Sequence, residues 1–220
     1  MTILIFTDDR FIDLRDGLRF VFCDTKAEMP ETYCYVQYFS KWLKDTHDKE
    51  LEILTSIGLL EYCKTLKMIP SRRFRWCTRK FKGELIDRWA KENELDTCLI
   101  GYDAGEPERA EKADSYTGRN RYPLIEAGLD RNSCIELIRA NGLEVPNRSG
   151  CFCCPYGNKA RFEDLRTYHP ELFEYACEME KDIVTKSGHR MYLKDKPLRE
   201  WITSPGLELG EPCAVCELEG

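Results

Sequence analysis

The chain has 220 residues, of which 42% are hydrophobic and 33% are charged. This composition supports a folded core and excludes a disordered polymer. A net charge of −6, from 33 basic and 39 acidic residues, excludes a histone-like polycation but leaves room for a local basic site. No apolar run approaches the roughly 18 residues of a membrane span. No signal segment opens the chain either, so we expect a cytoplasmic protein without membrane partners.

The amino-terminal half predicts strands that alternate with helices. Thr2–Phe6 and Leu18–Cys23 are β-rich apolar runs, as expected for strands that are covered on both faces. The segment between them is shorter than the usual crossover helix of about a dozen residues. The next predicted elements are a helix that opens at Pro30, a strand at Leu51–Leu54, a helix at Gly83–Asn93 and a strand at Thr97–Tyr102. We therefore expect an α/β fold with a mostly parallel sheet flanked by helices.

The carboxyl-terminal half has a different character. Glu106–Arg121 is charged and lacks apolar periodicity, so we expect a mobile loop. A helix capped by Asn132 should follow and should stop at Asn141-Gly142. Two further helices are predicted at Lys159–Tyr168 and Pro170–Asp182. These patterns divide the chain into an α/β domain at 1–150 and a small helical, cysteine-rich subdomain at 151–220.

Twelve cysteines are the most informative feature of the composition. Thiols of a cytoplasmic protein mostly stay reduced, and seven cysteines stand alone, mostly in apolar surroundings that suit a small core residue. The other five form two groups: Cys151, Cys153 and Cys154, then Cys213 and Cys216. Thiolates spaced Cys-x-x-Cys on a turn can hold one ion, and two such pairs supply the four ligands of zinc or of an iron–sulfur cubane. Unligated thiols are the alternative for both groups.

Ser71–Lys82 carries six basic residues and no acidic one in a chain that is acidic overall. Such a patch suits phosphate or sulfate groups, and Phe74 and Trp76 could stack on a base or cover the site. Cys77 lies among these cations, where we expect a lowered pKa and a reactive or ligating thiol. A solvated basic helix start is the alternative interpretation.

Asp24 and Thr25 directly follow a predicted strand, at the edge where open parallel sheets bind ligands. Asp24 could accept a hydrogen bond from a ribose or hold Mg²⁺, and a helix-capping role is the alternative. The three histidines, His47, His169 and His189, lack ligand spacing, and we expect none of them to be catalytic.

Five blocks agree in order and spacing with one known family: Phe20–Val36, Pro70–Lys82, Leu99–Ala110, Tyr122–Cys134 and Ser149–Pro155. They resemble the phosphoadenosine-phosphosulfate (PAPS) reductase-like proteins of the PP-loop superfamily, also called adenine nucleotide alpha hydrolases. The likeness is greatest to those of phages and mobile elements, and it covers roughly residues 18–175. It implies the HUP-like sheet of that superfamily.

The resemblance also implies a nucleotide-linked sulfur- or phosphoryl-transfer protein with a cysteine-bound metal site. The implied residues for an adenine nucleotide, or for another phosphorylated or sulfated small molecule, are Asp24, Thr25, Glu28, Arg73, Thr78, Lys80 and Arg109. Asp24 and Cys77 are the implied catalytic residues. The implied ligands are Cys77, Cys151 and Cys154, joined by Cys153 or by Cys213 and Cys216. The cofactor would be a 4Fe–4S cluster, favoured by a small margin because the Cys77 block is retained, or zinc, with ATP and Mg²⁺ as further ligands.

Two departures from the family pattern open an alternative. The phosphate loop Ser-Gly-Gly-x-Asp-Ser is absent: the first predicted strand leads into Phe6–Arg10, which has no glycine and two acids that would repel an anion. The Glu-Cys-Gly segment of the reductases is also absent, so we do not expect reduction of PAPS itself. The alternative is a degenerate member, stapled by zinc, that binds a nucleotide, a nucleic acid or a partner protein without turnover. A zinc-stapled structural module is the third interpretation.

Overall fold

Residues 1–111, 119–185 and 188–202 are described by the computed structural model. They form a mixed α/β fold that is mostly helical and contains short parallel strand pairs. The strands are β1 (Phe20–Asp24), β2 (Leu51–Thr55), β3 (Thr97–Leu99) and β4 (Arg119–Arg121). The helices are α1 (Thr2–Thr7), α2 (Pro30–His47), α3 (Leu59–Leu66), α4 (Trp76–Thr78), α5 (Glu84–Glu92), α6 (Pro107–Glu111), α7 (Pro123–Glu126), α8 (Arg131–Ala140), α9 (Lys159–Tyr168), α10 (Pro170–Asp182) and α11 (Leu198–Trp201). A 3₁₀ segment, Asp9–Leu14, follows α1, and a π-helical segment, Arg79–Gly83, joins α4 to α5.

The described strands pair in parallel, as the alternation of strands and helices predicts, but they form two separate two-stranded pairs and not the single sheet expected. In the first pair Phe20 lies opposite Leu51 and Asp24 lies opposite Thr55. In the second pair β3 and β4 run side by side in the same direction. Helix α2 is the crossover between β1 and β2: Pro30 occupies its first turn, where a missing N–H has no cost. The carboxyl ends of β1 and β2 therefore lie at one edge, with the start of α2 beside them.

Thr2–Phe6 is not a strand, because the chain forms helix α1 there. A short apolar run cannot be assigned to strand or helix from its pattern alone. In the structure Ile3, Leu4 and Ile5 are all buried on this single turn and a half of helix. Phe6 stacks on His47, with 3.7 Å between the ring centroids. The run is thus buried by side-chain packing and does not pair with any described strand.

Other boundaries also differ from the prediction. The strand expected at Thr97–Tyr102 ends at Leu99. The Glu106–Arg121 segment is not a continuous loop, because it contains α6 and β4; residues 112–118 lie outside the described residues. Helix α8 is capped by Asp130 rather than by Asn132, since Asp130 Oδ1 accepts a hydrogen bond of 2.8 Å from the Ser133 amide. Both predicted helices after residue 158 are confirmed at their predicted ends.

Within the described residues, most buried hydrophobic side chains fall into two separate clusters. The larger cluster joins α3 and the π-helical segment to the last three helices, and includes Ile69, Phe81, Phe162 and Phe173. The smaller cluster packs α1 and the 3₁₀ segment against α7, and its buried members are Leu4, Ile5, Phe11 and Leu124. The cysteine-bearing segment around Cys153 belongs to the larger cluster, which therefore sets the positions of the thiols. No helix within the described ranges is long and apolar enough to cross a membrane.

One buried carboxylate makes the larger cluster sensitive to pH. Glu180 of α10 accepts hydrogen bonds of 2.7 Å from the amides of Leu193 and Leu198. Burial raises the pKa of Glu180, and the two amide donors oppose part of that increase. The folded chain thus holds this proton more tightly than the unfolded chain. The carboxyl consequently stabilises the fold most below its unfolded pKa of about 4.3, and that contribution is lost as pH rises through the native pKa.

We expect the free energy of unfolding of the wild type, relative to Glu180→Gln, to fall as pH rises from about 4 to about 8. Urea unfolding at several pH values measures this difference. Glu178→Gln, an exposed position on the same helix, is the control, and its difference from the wild type should not change with pH. A pH-independent difference for Glu180→Gln would contradict the prediction.

Candidate functional site

The segment that follows β1 forms backbone hydrogen bonds with residues 150–155, which we call the cysteine-rich turn. Glu28 and Cys151 form an antiparallel β-bridge, and the Phe152 amide donates a 2.9 Å hydrogen bond to the Ala27 carbonyl. Within this junction, Thr25 Oγ1 donates to Glu28 Oε1 over 3.0 Å and lies 3.3 Å from Cys151 Sγ. The thiol of Cys151 is 3.7 Å from the same carboxylate oxygen. We call Thr25, Glu28 and Cys151 the Thr–Glu–Cys cluster.

The turn after β1 explains why these side chains meet. Asp24 Oδ1 accepts hydrogen bonds from the Lys26 amide over 2.7 Å and from the Tyr33 hydroxyl over 2.8 Å. Lys26 adopts a left-handed backbone conformation, with φ of 56°, which reverses the chain tightly. Burial, together with the bond to Asp24, raises the pKa of Tyr33. Asp24 therefore lies at the strand end as predicted, and one of its oxygens holds the turn.

The Thr–Glu–Cys cluster contains a buried acid without a cationic partner. Glu28 is 4% exposed and forms no ion pair with any described residue. Burial and, to a smaller extent, the charge of Glu28 raise the pKa of Cys151 to about 12. The thiol is therefore protonated at neutral pH. A cation bound at this point would offset both the buried carboxylate and the cost of forming a thiolate.

Among the described residues, five thiols, one of which is Cys151, lie near one another. We call them the thiol cluster: Cys63, Cys77, Cys151, Cys153 and Cys154. They come from α3, from α4 and from the cysteine-rich turn, and each lies close enough to others in the cluster to interact electrostatically. Cys63 has no place in the predicted site. It occupies an apolar position of α3, and only the packing of α3 brings it here.

The pKa of Cys77 is not lowered as predicted. Burial and the neighbouring Cys154 raise the pKa of Cys77, while hydrogen bonds from Thr78 act against them. The prediction was wrong because Cys77 packs against the larger cluster, and Arg75 lowers its pKa by less than burial raises it. Desolvation therefore exceeds the attraction of the positive charges.

The thiol cluster has suitable donor atoms for a metal but does not form a closed ligand set. Within residues 1–111, 119–185 and 188–202, no three His, Cys, Asp or Glu side chains meet closely enough to hold one ion. The two cysteines of the predicted tail pair, Cys213 and Cys216, lie outside the described residues. Soft thiolate ligands suit zinc and iron–sulfur clusters, so the donor chemistry, rather than preassembled geometry, is what fits here.

The predicted basic residues are spread over three places. Lys80 Nζ lies 2.8 Å from Glu84 Oε2 and 5.6 Å from the centre of the Tyr62 ring. Thr78 contacts Cys77. Arg73 is exposed on the turn before α4. Arg109 pairs with Glu106 over 2.6 Å, and its guanidinium lies over Tyr102. Thus Thr78 contacts a thiol, whereas the described contacts of Arg73, Lys80 and Arg109 do not reach the thiol cluster.

A cavity of about 790 Å³ opens beside the cysteine-rich turn. Its walls include the start of α2, one face of α9 and the side chains of Glu31, Cys154, Tyr156, Arg161, Asp164 and His169. His169 Nε2 lies 2.6 Å from Glu31 Oε1, and Arg161 donates to the carbonyls of Arg148 and Gly150. Its volume is that of a small-molecule site. The sequence does not indicate His169 as a site residue, since its partner is 138 positions away.

Comparison with known proteins adds a distant relative. No family model matches the chain, and no solved structure matches it. A curated relative from Methanocaldococcus jannaschii, named an uncharacterized protein, is 27% identical over 173 residues. The match covers 72% of this chain and 40% of the relative, so the chain spans about two fifths of the relative's length. The relative's name states no activity.

Proposed function

We propose that the protein is a PAPS reductase-like, nucleotide-linked sulfur- or phosphoryl-transfer protein whose site is centred on the thiol cluster. The observation that carries the proposal is the Thr–Glu–Cys cluster. It brings Thr25 and Glu28, from the block after β1, within 3.0 to 3.7 Å of each other and of Cys151. Two blocks of the family resemblance that are far apart in sequence thus meet at one point. The parallel strand pairs with a helical crossover are compatible with a HUP-like sheet.

The nucleotide, or another phosphorylated or sulfated molecule, would bind at the carboxyl edge of β1 and β2. Asp24 and Thr25 offer acceptors there, and Lys80 brings a positive charge from the π-helical segment. The cavity beside Cys154 adjoins this region through Met29 and Pro30 at the start of α2, although Asp24, Thr25 and Lys80 do not line it. Ligands bind at this edge in open α/β sheets because the strand ends and helix starts leave polar groups accessible.

A metal or an iron–sulfur cluster is part of the proposal, held by Cys77, Cys151 and Cys154 with Cys153 or a tail cysteine. Such a group would supply the positive charge that stabilises thiolates at a buried site. The chain's own residues do the rest. The hydroxyl of Thr25 orients the carboxylate of Glu28, and Glu28 stands ready to accept the proton that Cys151 releases. The larger cluster excludes water from Cys63 and Cys153.

A second candidate is a binding module that turns nothing over. The observation that favours it is helix α1, which stands where the resemblance expects a strand and its phosphate loop. Asp8 and Asp9 follow this helix, and Asp8 binds Arg10 instead of leaving backbone amides for a phosphate. In that case the thiols serve as a structural zinc site.

Binding and turnover of ATP separate the two candidates. We expect calorimetry with ATP and Mg²⁺ to show weak binding that Lys80→Ala weakens by about tenfold or more, because a charge-assisted contact contributes about 1.5–3 kcal/mol. Lys41→Ala is the matched control, since Lys41 forms the same (i, i+4) ion pair on α2 with Asp45. Release of pyrophosphate supports the transfer enzyme. Binding without release supports the module, and tight binding that Lys80→Ala does not change rejects the site.

A further inference from the structure

The turn before α4 exposes an unusual set of side chains. The Phe74 amide donates to Ser71 Oγ over 3.1 Å, and the Ser71 amide donates to the Phe74 carbonyl over 3.2 Å. This tight turn directs Arg72, Arg73 and Arg75 into solvent. It also leaves Phe74 58% exposed. A large apolar ring that protrudes between cations is poorly explained by folding alone, because it buries little surface.

Tyr156, two residues after Cys154, packs against this turn and extends the exposed surface. Its hydroxyl donates a 2.7 Å hydrogen bond to the Arg72 carbonyl. The guanidinium carbon of Arg75 lies 4.6 Å from the ring centroid, and that of Arg72 lies 5.8 Å from it. Tyr156 remains 48% exposed. We call Arg72, Arg73, Phe74, Arg75 and Tyr156 the platform.

No described acidic residue neutralises the positive charge of the platform. None of its three arginines forms an ion pair with a described residue, whereas Arg79 and Lys80 nearby pair with Asp87 and Glu84 at 3.0 and 2.8 Å. Lys194 adds to the field, since its amine lies close enough to Arg72 for their charges to interact. This positive surface belongs to a chain of net charge −6. It therefore marks a place for an anionic partner.

We propose that the platform binds single-stranded nucleic acid, with phosphates on the arginines and bases stacked on Phe74 and Tyr156. Alternation of exposed rings with guanidinium groups is the pattern that recognises unpaired bases, because every base offers a flat face. An acidic peptide would use the charges but has no flat faces for the rings. A duplex hides its base faces and would leave the rings unused. The inference goes beyond the proposed function, because it requires neither a nucleotide at β1 nor a metal at the thiols.

Fluorescence anisotropy tests the proposal on the full chain with labelled oligouridylate and oligothymidylate of about twelve nucleotides. We expect at least one of the two to bind, with an affinity that falls between about 50 and 200 mM salt. Arg73→Gln should reduce the salt slope by about 0.7, the value of one phosphate contact on a single strand. Phe74→Ala should weaken binding by about fivefold to 150-fold without a change of slope, because it removes stacking and no charge. The two oligonucleotides distinguish RNA from DNA as the source.

Matched variants make the outcome decisive. Arg139→Gln removes the same charge from an exposed position on α8 and should leave the slope unchanged. Labelled polyglutamate and a duplex of equal length test the other partners. Binding of neither oligonucleotide, equal slope losses in Arg73→Gln and Arg139→Gln, wild-type binding by Phe74→Ala, or binding of polyglutamate or the duplex as tight as that of the single strands would each overturn the proposal.

Discussion

Phe81→Ala is expected to lower the free energy of unfolding by about 3–5 kcal/mol, the usual cost of removing a buried phenyl ring. Phe81 is 0% exposed at the centre of the larger cluster. Its ring packs edge-on to Tyr62 with 5.7 Å between centroids, and lies 6.3 Å from Trp76. At about 2–4 °C per kcal/mol for a chain of this size, the melting temperature should fall by roughly 6–20 °C. Thermal and urea unfolding measure both quantities.

Phe74→Ala is the control for that result. The same substitution at a side chain that is 58% exposed should change the free energy of unfolding by less than about 0.5 kcal/mol. Phe81 also fixes the π-helical segment that carries Lys80, next to Cys77. A similar small loss in both variants would mean that the π-helical segment is not packed as described.

Cys151→Ser is expected to abolish metal binding by anaerobically purified protein. Cys151 contacts Thr25 and Glu28 and interacts with the other thiols, so its sulfur is central to any ligand set formed here. Serine keeps the size but is a poor ligand for soft metals. Elemental analysis and visible absorbance measure the loss: the wild type should hold an iron–sulfur cluster with a broad absorbance, or about one zinc per chain without colour.

Three further substitutions show which cysteines are the ligands. Cys134→Ser, in α8 beside the smaller cluster, should retain all the metal. Cys77→Ser should lose the metal if Cys77 is a ligand, as the iron–sulfur interpretation requires. If zinc is held with the tail pair instead, Cys213→Ser should lose the metal while Cys77→Ser retains it. Wild-type protein that carries no metal after anaerobic purification would contradict both interpretations.

Elements with a clear period and a marked start could be predicted from the sequence. Helices α2 and α10 begin at prolines, Pro30 and Pro170, whose missing N–H groups suit a first turn. Helix α9 starts after Asn158, which caps the Arg161 amide. Strands β1 and β2 were found from their apolar composition, within two residues of their observed ends. In each case local chemistry and tertiary packing favour the same conformation.

The parts that could not be predicted depend on contacts between distant residues. The local sequence of Ile3–Ile5 is compatible with either a helix or a strand. The helix forms because it buries these side chains against Phe11 and Leu124. Cys63 has the pattern of an ordinary core residue, and α3 alone brings it to the other thiols. The cavity depends on two helices, α2 and α9, that are far apart in the chain. The prediction of a lower pKa for Cys77 was wrong because the sequence shows the neighbouring charges but does not show the burial that desolvates the thiol.

The division of the core into two clusters has a consequence for cooperativity. The four buried side chains of the smaller cluster bury far less apolar surface than the larger cluster, so the region around α1 should open at a lower free energy than the whole chain. Amide protons of α1 would then exchange with solvent from a partly open state, while those of α10 exchange only on global unfolding. Because Cys151 packs against the larger cluster, that partly open state keeps the Thr–Glu–Cys cluster assembled.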